Sequence, residues 1–256
     1  RCSRDWSSDV CSSDLKRIFA HGWLLFENDK MSKSRGNIVR ATPIQKVLGT
    51  DALRYFLLRE VVFGQDGSFS YDALVGRYNS DLANGWGNLA SRTLAMIQQY
   101  RGGVIPASDG DQQIAQTARE FTERALESFE RFEFSKALES IWSLIGAVDK
   151  YIVEQAPWKL VKEGESAAKK LDEVLFTAAE ALRVVTALLA PVLPDSAAKI
   201  WVQLGMKTGI GDVRSVDLHW GRLPAGQKLG ETAAVFPRAD AKTSIEKIME
   251  LENEEV

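Results

Sequence analysis

The chain has few of the residues that staple small folds or hold metal ions. Its 256 residues include two cysteines and two histidines. Cys2 and Cys11 both lie in the first eleven positions, so neither a disulfide framework nor a four-ligand zinc site is available. No uninterrupted apolar run approaches the roughly 18 residues that a membrane span requires. The charged, serine-rich N-terminus lacks the apolar core of a secretory signal. Neither charge sign dominates: 32 Lys and Arg stand against 35 Asp and Glu, for a net charge of −3. Any contact with a polyanion must therefore use a local patch. These exclusions leave the cytoplasm as the default location, with no membrane partner.

What is present is ordinary in bulk, with 45% hydrophobic and 26% charged residues. The length suits one large domain or two small ones. Residues 1–15 stand apart. Cys-Ser-Arg-Asp and Cys-Ser-Ser-Asp nearly repeat there, and no strand or helix period emerges. Cys2 and Cys11 could form a redox pair or bind a metal, but the segment reads better as a foreign or mistranslated leader.

The most informative stretch is His21 to Asn37. Trp23 to Phe26 suit a short strand, an Asn28-Asp29 turn is expected, and Lys30-Met31-Ser32-Lys33-Ser34-Arg35-Gly36-Asn37 follows. Three cations, two hydroxyls and a glycine in eight residues suit a polyanion. Lysines supply point charges for phosphate, hydroxyls add hydrogen bonds, and glycine allows close backbone approach. A solvated basic turn is the bland alternative.

Beyond the loop, Thr42-Pro43 should start a helix with the threonine as its cap, and Gly49-Thr50-Asp51 should restart one. That second helix places Ala52, Leu53, Phe56 and Leu57 on one face. Its Arg54 and Arg59 could face RNA, although each reads more simply as a solvated or salt-bridged residue. Residues 64–70 read as a polar connection. Helical spacing then runs from Tyr71 to Tyr100, with Asn88 and Arg92 on one face and Gly102-Gly103 as a stop. Further helices are expected from about Asp111 to Phe132, from Phe134 through Ile152, from about Ser166 to Leu189, and from Pro194 to Leu204. No useful period-two run occurs between Tyr71 and Leu204. The predicted fold is mainly α, an antiparallel helix bundle preceded by a small α/β remnant. Residues 206–236 read as loop-rich, and Ser244 to Val256 as a short acidic helix or frayed tail.

Lys30-Met31-Ser32-Lys33-Ser34 matches the signature loop of class I aminoacyl-tRNA synthetases. His-Gly-Trp before it and Arg-Gly-Asn after it most resemble the methionyl family. Two further patterns support that resemblance. Gly87-Asn88-Leu89-Ala90-Ser91-Arg92 resembles the first helix of that family's anticodon-binding bundle, and Gln155-Ala156-Pro157-Trp158 resembles its second recognition point. Phe236-Pro237-Arg238 resembles the bundle's ending, where the last segment folds back.

The resemblance implies a chain organised as 1–15 leader, 16–70 end of a catalytic domain, 71–238 anticodon-binding bundle and 239–256 C-terminal tail. It implies methionine–tRNA ligase chemistry, with ATP (accompanied by Mg2+), methionine and tRNA(Met) as substrates. Lys30, Met31, Ser32, Lys33 and Ser34 would bind ATP, with Lys33 and then Lys30 as the catalytic cations. Asn88, Arg92 and Trp158 would bind the anticodon. From spacing alone, Asn88 and Arg92 are an ordinary polar helix face, and Trp158 is equally a helix-start residue packed on the bundle. The family's His-x-Gly-His half, methionine pocket and zinc-bearing insertion have no counterpart here. His21 reads as structural, no metal site is expected, and the chain alone is not expected to catalyse aminoacylation. Two alternatives stand beside this: an isoleucyl, valyl, leucyl or cysteinyl enzyme of the same class, or a noncatalytic tRNA-binding protein derived from a synthetase.

Overall fold

The computed structural model describes residues 19–32 and 37–254. A three-stranded sheet opens the fold, with β1 (Leu24–Phe26), β2 (Asp29–Lys30) and β3 (Gly67–Phe69) in the order β2-β1-β3. β1 and β2 form a hairpin in which Phe26 faces Asp29. Its turn residues are Glu27 and Asn28, both at positive φ, one position earlier than the expected Asn28-Asp29. Two consecutive left-handed residues match the strand twist, which is why a two-residue hairpin selects them. β3 pairs in parallel with β1 inside the stretch that the sequence suggested was a polar connection. Its period is too short to see, and only the distant partner makes it a strand.

Helices α1 (Ala41–Leu48) and α2 (Thr50–Glu60) follow the loop. Thr42 is not the cap of α1. Arg40 occupies that position and makes no side-chain cap bond. The expected apolar face of α2 is buried at Ala52 and Phe56, while Tyr55 is buried as well. Arg59 pairs with Glu139 at 3.0 Å, and Arg54 donates to the carbonyls of Pro191 and Val192, so both arginines brace the bundle.

The long helix is continuous but not uniform. It runs as α3 (Tyr71–Arg77), a π-helical segment (Tyr78–Gly87) and α4 (Asn88–Arg101), with Gly102 left-handed at its end. The wide segment has two visible supports. Trp142 Nε1 donates to the Asp81 carbonyl at 3.3 Å, and a Cβ on Gly85 would sit 3.1 Å from that indole nitrogen. A Cβ on Gly87 would come within 2.7 Å of the Leu82 carbonyl and 3.3 Å of Phe236. Glycine thus lets two aromatic side chains reach a helix that has been forced open, and such segments recur at functional sites.

The remaining helices are α5 (Gln112–Glu130), α6 (Phe134–Gln155), α7 (Pro157–Glu163), α8 (Ala168–Leu189), α9 (Pro194–Gln203) and α10 (Ala241–Glu254). Asp111 caps α5, its Oδ1 accepting from the amides of Gln113 and Ile114. Asp111→Ala is expected to cost about 1 kcal/mol of stability, read as a lower urea midpoint at unchanged slope.

α8 is buried along almost its whole second half, where Glu180 and Arg183 form an ion pair with 0% and 1% side-chain exposure. α10 is neither frayed nor a free tail. Its Ile248 is fully buried with Ile44, Phe56, Phe69, Tyr71 and Leu74. Glu252 of this helix accepts from the Arg40 amide, and its carbonyl accepts from the Arg40 guanidinium. The connection into α10 is tied to the π segment: Tyr78 donates to the Pro237 carbonyl, and Asn79 exchanges two hydrogen bonds with the backbone of Ala239. The last segment therefore folds back across the molecule, as the resemblance implied.

Candidate functional site

The residues that the sequence singles out fall into two groups. The first is the loop after β2. Lys30 is exposed, with its Nζ 4.9 Å from the Trp23 ring centroid, so a cation–π contact holds the ammonium near the hairpin. Met31 and Ser32 are half-buried. Lys33 and Ser34 lie outside the described residues, as does the leader with Cys2 and Cys11.

Asn37 fastens the loop's two ends. Its Oδ1 accepts from the Ser32 amide at 2.8 Å, and its Nδ2 donates to the Lys30 carbonyl at 3.2 Å. That role was not legible in sequence, where Asn37 was only the end of a motif. The segment after the loop is anchored to α10 through Arg40 and Glu252, and Tyr71 joins the same carboxylate. Burial first, and then the Glu252 carboxylate, hold the Tyr71 phenol far above its ordinary range, so it remains a hydrogen-bond donor. His21 is exposed, its Nδ1 2.7 Å from the Gly22 carbonyl, a local contact that suits a structural residue.

The second group lies on the bundle. Asn88 and Arg92 lie in the first turns of α4, directly after the π segment. Asn88 is exposed and Arg92 half-buried. Trp158 stands on the first turn of α7 and is 40% exposed, which does not fit a residue packed into the bundle. Ala156 precedes it at φ 44°, a left-handed conformation unusual for a residue with a side chain. That single residue ends α6, and Pro157 starts α7 at once with its preset φ. This abrupt helix-to-helix junction places Trp158 beside α4, where the Arg92 guanidinium lies 5.6 Å from the indole centroid.

An acidic neighbour completes the group. Asp149 on α6 approaches Arg92 with 3.8 Å between Oδ1 and Nη1. Burial pushes the Asp149 carboxyl up from its ordinary value, and the charge of Arg92 pulls it partly back. Lys159 and Lys162, exposed on α7, add positive charge next to the indole. An exposed ring with a guanidinium over it and an amide one turn away offers a flat apolar face beside hydrogen-bonding groups, a combination chemically able to take an unstacked base. Such a ring can stack a base, and a guanidinium and an amide can offer hydrogen bonds to base edges.

Among the described residues, no three or more His, Cys, Asp or Glu side chains are placed to hold a metal ion. No described helix is long and apolar enough to cross a membrane.

Residues 8–94 match the family model for class I tRNA synthetases (M), and residues 111–252 match that for the anticodon-binding domain of tRNA ligases. The chain belongs to the methionyl class I tRNA synthetases. Asn88 and Arg92 fall within the first match and Trp158 within the second, so the fold joins into one face residues from two family modules.

The methionine–tRNA ligase of Caldanaerobacter subterraneus subsp. tengcongensis is 41% identical over 247 residues, 94% of this chain and 38% of the relative. That of Enterococcus faecalis is 39% identical, over 94% of this chain and 37% of the relative. A Mycobacterium tuberculosis methionyl-tRNA synthetase solved with methionyl-adenylate superposes with a TM-score of 0.80. It is 42% identical and covers 87% of this chain and 44% of its own. The chain thus spans well under half the length of these relatives. Their identity favours the methionyl reading over the isoleucyl, valyl, leucyl and cysteinyl alternatives.

Proposed function

We propose that this chain supplies the anticodon-reading surface and the phosphate-binding loop of a methionine–tRNA ligase. Arg92 over the exposed face of Trp158, with Asn88 one turn away, carries the reading. That trio suits the anticodon of tRNA(Met). Trp158 stacks a base, while Asn88 and Arg92 meet base edges.

In the reaction, the carboxylate of methionine attacks the α-phosphate of ATP, giving methionyl-adenylate and pyrophosphate. A tRNA hydroxyl then takes the methionyl group from the adenylate, forming an ester and releasing AMP. Negative charge grows on the phosphates during the first step. Lys33, with Lys30 in support, stabilises that charge more than it stabilises bound ATP, and Ser32 and Ser34 contribute hydrogen bonds. The loop's donors are cationic and hydroxylic, a set that does not fit a divalent ion, so Mg2+ would arrive on the phosphates of ATP. Asn37 holds the loop's ends together. The proposed organisation is 16–70 for the catalytic end, 71–238 for the bundle and 239–256 for the terminal segment, in a cytoplasmic enzyme.

The test compares binding of the chain to initiator tRNA carrying CAU and to the same tRNA with a changed anticodon, at matched salt. Preference for CAU is expected, since backbone contacts alone confer none. Trp158→Ala should weaken binding of the CAU form by about 10- to 100-fold, the worth of one stacked base. Equal affinity for both tRNAs, or an unaffected Trp158→Ala variant, would sink the proposal.

A further inference from the structure

Asp149 is out of place on a surface for a polyanion. Its carboxylate adds negative charge beside the face that must meet RNA, which electrostatics alone disfavours. Its Oδ1 is also buried and accepts no hydrogen bond. A buried acceptor without a donor is costly to keep. The nearest cation explains both features. Arg92 Nη1 stands 3.8 Å from that oxygen, just beyond hydrogen-bond reach, while the same guanidinium lies 5.6 Å from the Trp158 ring centroid. A guanidinium carries its N–H groups in a rigid planar fork. A small movement that lets the acceptor on α6 engage one edge would leave the opposite edge free for whatever stacks on Trp158.

We infer that Asp149 is a positioning residue for anticodon recognition, its Oδ1 taking one edge of the Arg92 guanidinium so that the other edge faces the bound base. The inference rests on the anticodon-binding reading of Asn88, Arg92 and Trp158. Asp149 acts through Arg92 and does not itself contact the base. Its two properties then pull in opposite directions. The oxygen supports discrimination between bases, whereas the charge opposes affinity for any RNA. Substitutions can separate the two.

The experiment measures binding of the full chain to two anticodon stem-loops at matched low salt, one carrying CAU and one changed at a single anticodon base. D149A removes both oxygen and charge. Its preference for CAU is expected to fall about tenfold, toward that of R92A, the scale of one good base contact. D149N keeps the shape and the acceptor, so it should retain most of the preference while binding both RNAs more tightly. In an R92A background, D149A should cause no further loss of preference.

Unchanged preference in D149A would overturn the inference, and so would an equal loss with and without Arg92. D149N is isosteric and decides the matter even if D149A melts early. If D149N loses the preference as fully as R92A does, the acceptor role is wrong. An unmutated chain that binds both stem-loops equally refutes the anticodon reading itself, a result distinct from a failure confined to Asp149.

Discussion

Replacing Glu180 by alanine is expected to destabilise the fold by about 3–5 kcal/mol, the scale for removing one partner from a buried ion pair. The carboxylate is fully buried and accepts five hydrogen bonds. Two come from Arg183, at 2.8 and 2.7 Å, and three from the amides of Gly221, Arg222 and Leu223. Alanine would strand a guanidinium that is 1% exposed together with three backbone donors. Arg183 in turn donates to the carbonyls of Asp217 and His219, so the pair fastens residues 217–223 to α8.

Buried ion pairs elsewhere can be exchanged for apolar residues at little cost, because desolvation offsets the attraction. Here the exchange would also orphan backbone groups, each a separate penalty. E180L/R183L is therefore expected to be clearly less stable than the native chain. Urea unfolding checks both variants, and a double variant as stable as the native chain would contradict this account of the loop's attachment.

Lys33→Ala, made in a complete methionyl-tRNA synthetase carrying this chain, is expected to slow adenylate formation by about 100- to 1000-fold, the usual loss when one preorganised donor to a developing anion is removed. Affinity for tRNA should stay near its native value, because Asn88, Arg92 and Trp158 lie on the bundle and do not involve the loop. Pre-steady-state adenylate formation and equilibrium tRNA binding are the two measurements. Equal losses in both would show that the lysine supports the fold or the RNA rather than the reaction.

The helices were legible because helical periodicity is local. Apolar residues three and four apart announce a buried face wherever it later packs. That is why the run from Tyr71 to Tyr100, its stop at Gly102-Gly103 and the helix from about Asp111 could be read from neighbours alone. β3 was hidden for the opposite reason. Gly67–Phe69 is a strand only because β1, more than forty positions earlier, lies alongside. Of the short α7 only the start, at Trp158, could be read. Within the candidate site, Asn88, Arg92 and Trp158 could be named from sequence patterns, and so could Lys30 to Ser34. Asp149, Asn37 and Ala156 could not be singled out. Each matters through a partner or a backbone angle, and neither leaves a pattern in the chain.

The loop and the bundle began as two separate motifs. Their residue types, charges and order came from the sequence by itself: lysines and hydroxyls suited to phosphate, an indole and a guanidinium suited to a base, and helices to carry them. Tertiary structure decided how these parts meet. Gly85 and Gly87 admit Trp142 and Phe236 to an opened helix. Ala156, in a left-handed conformation, forms the junction that places Trp158 beside Arg92. α10 returns to bury Ile248 beside the helices that follow the loop. Composition and period report what a residue can do within a few positions of its neighbours. Contacts across 60 or 150 positions depend on close packing in three dimensions, and there a single missing Cβ or one unusual φ decides which side chains touch.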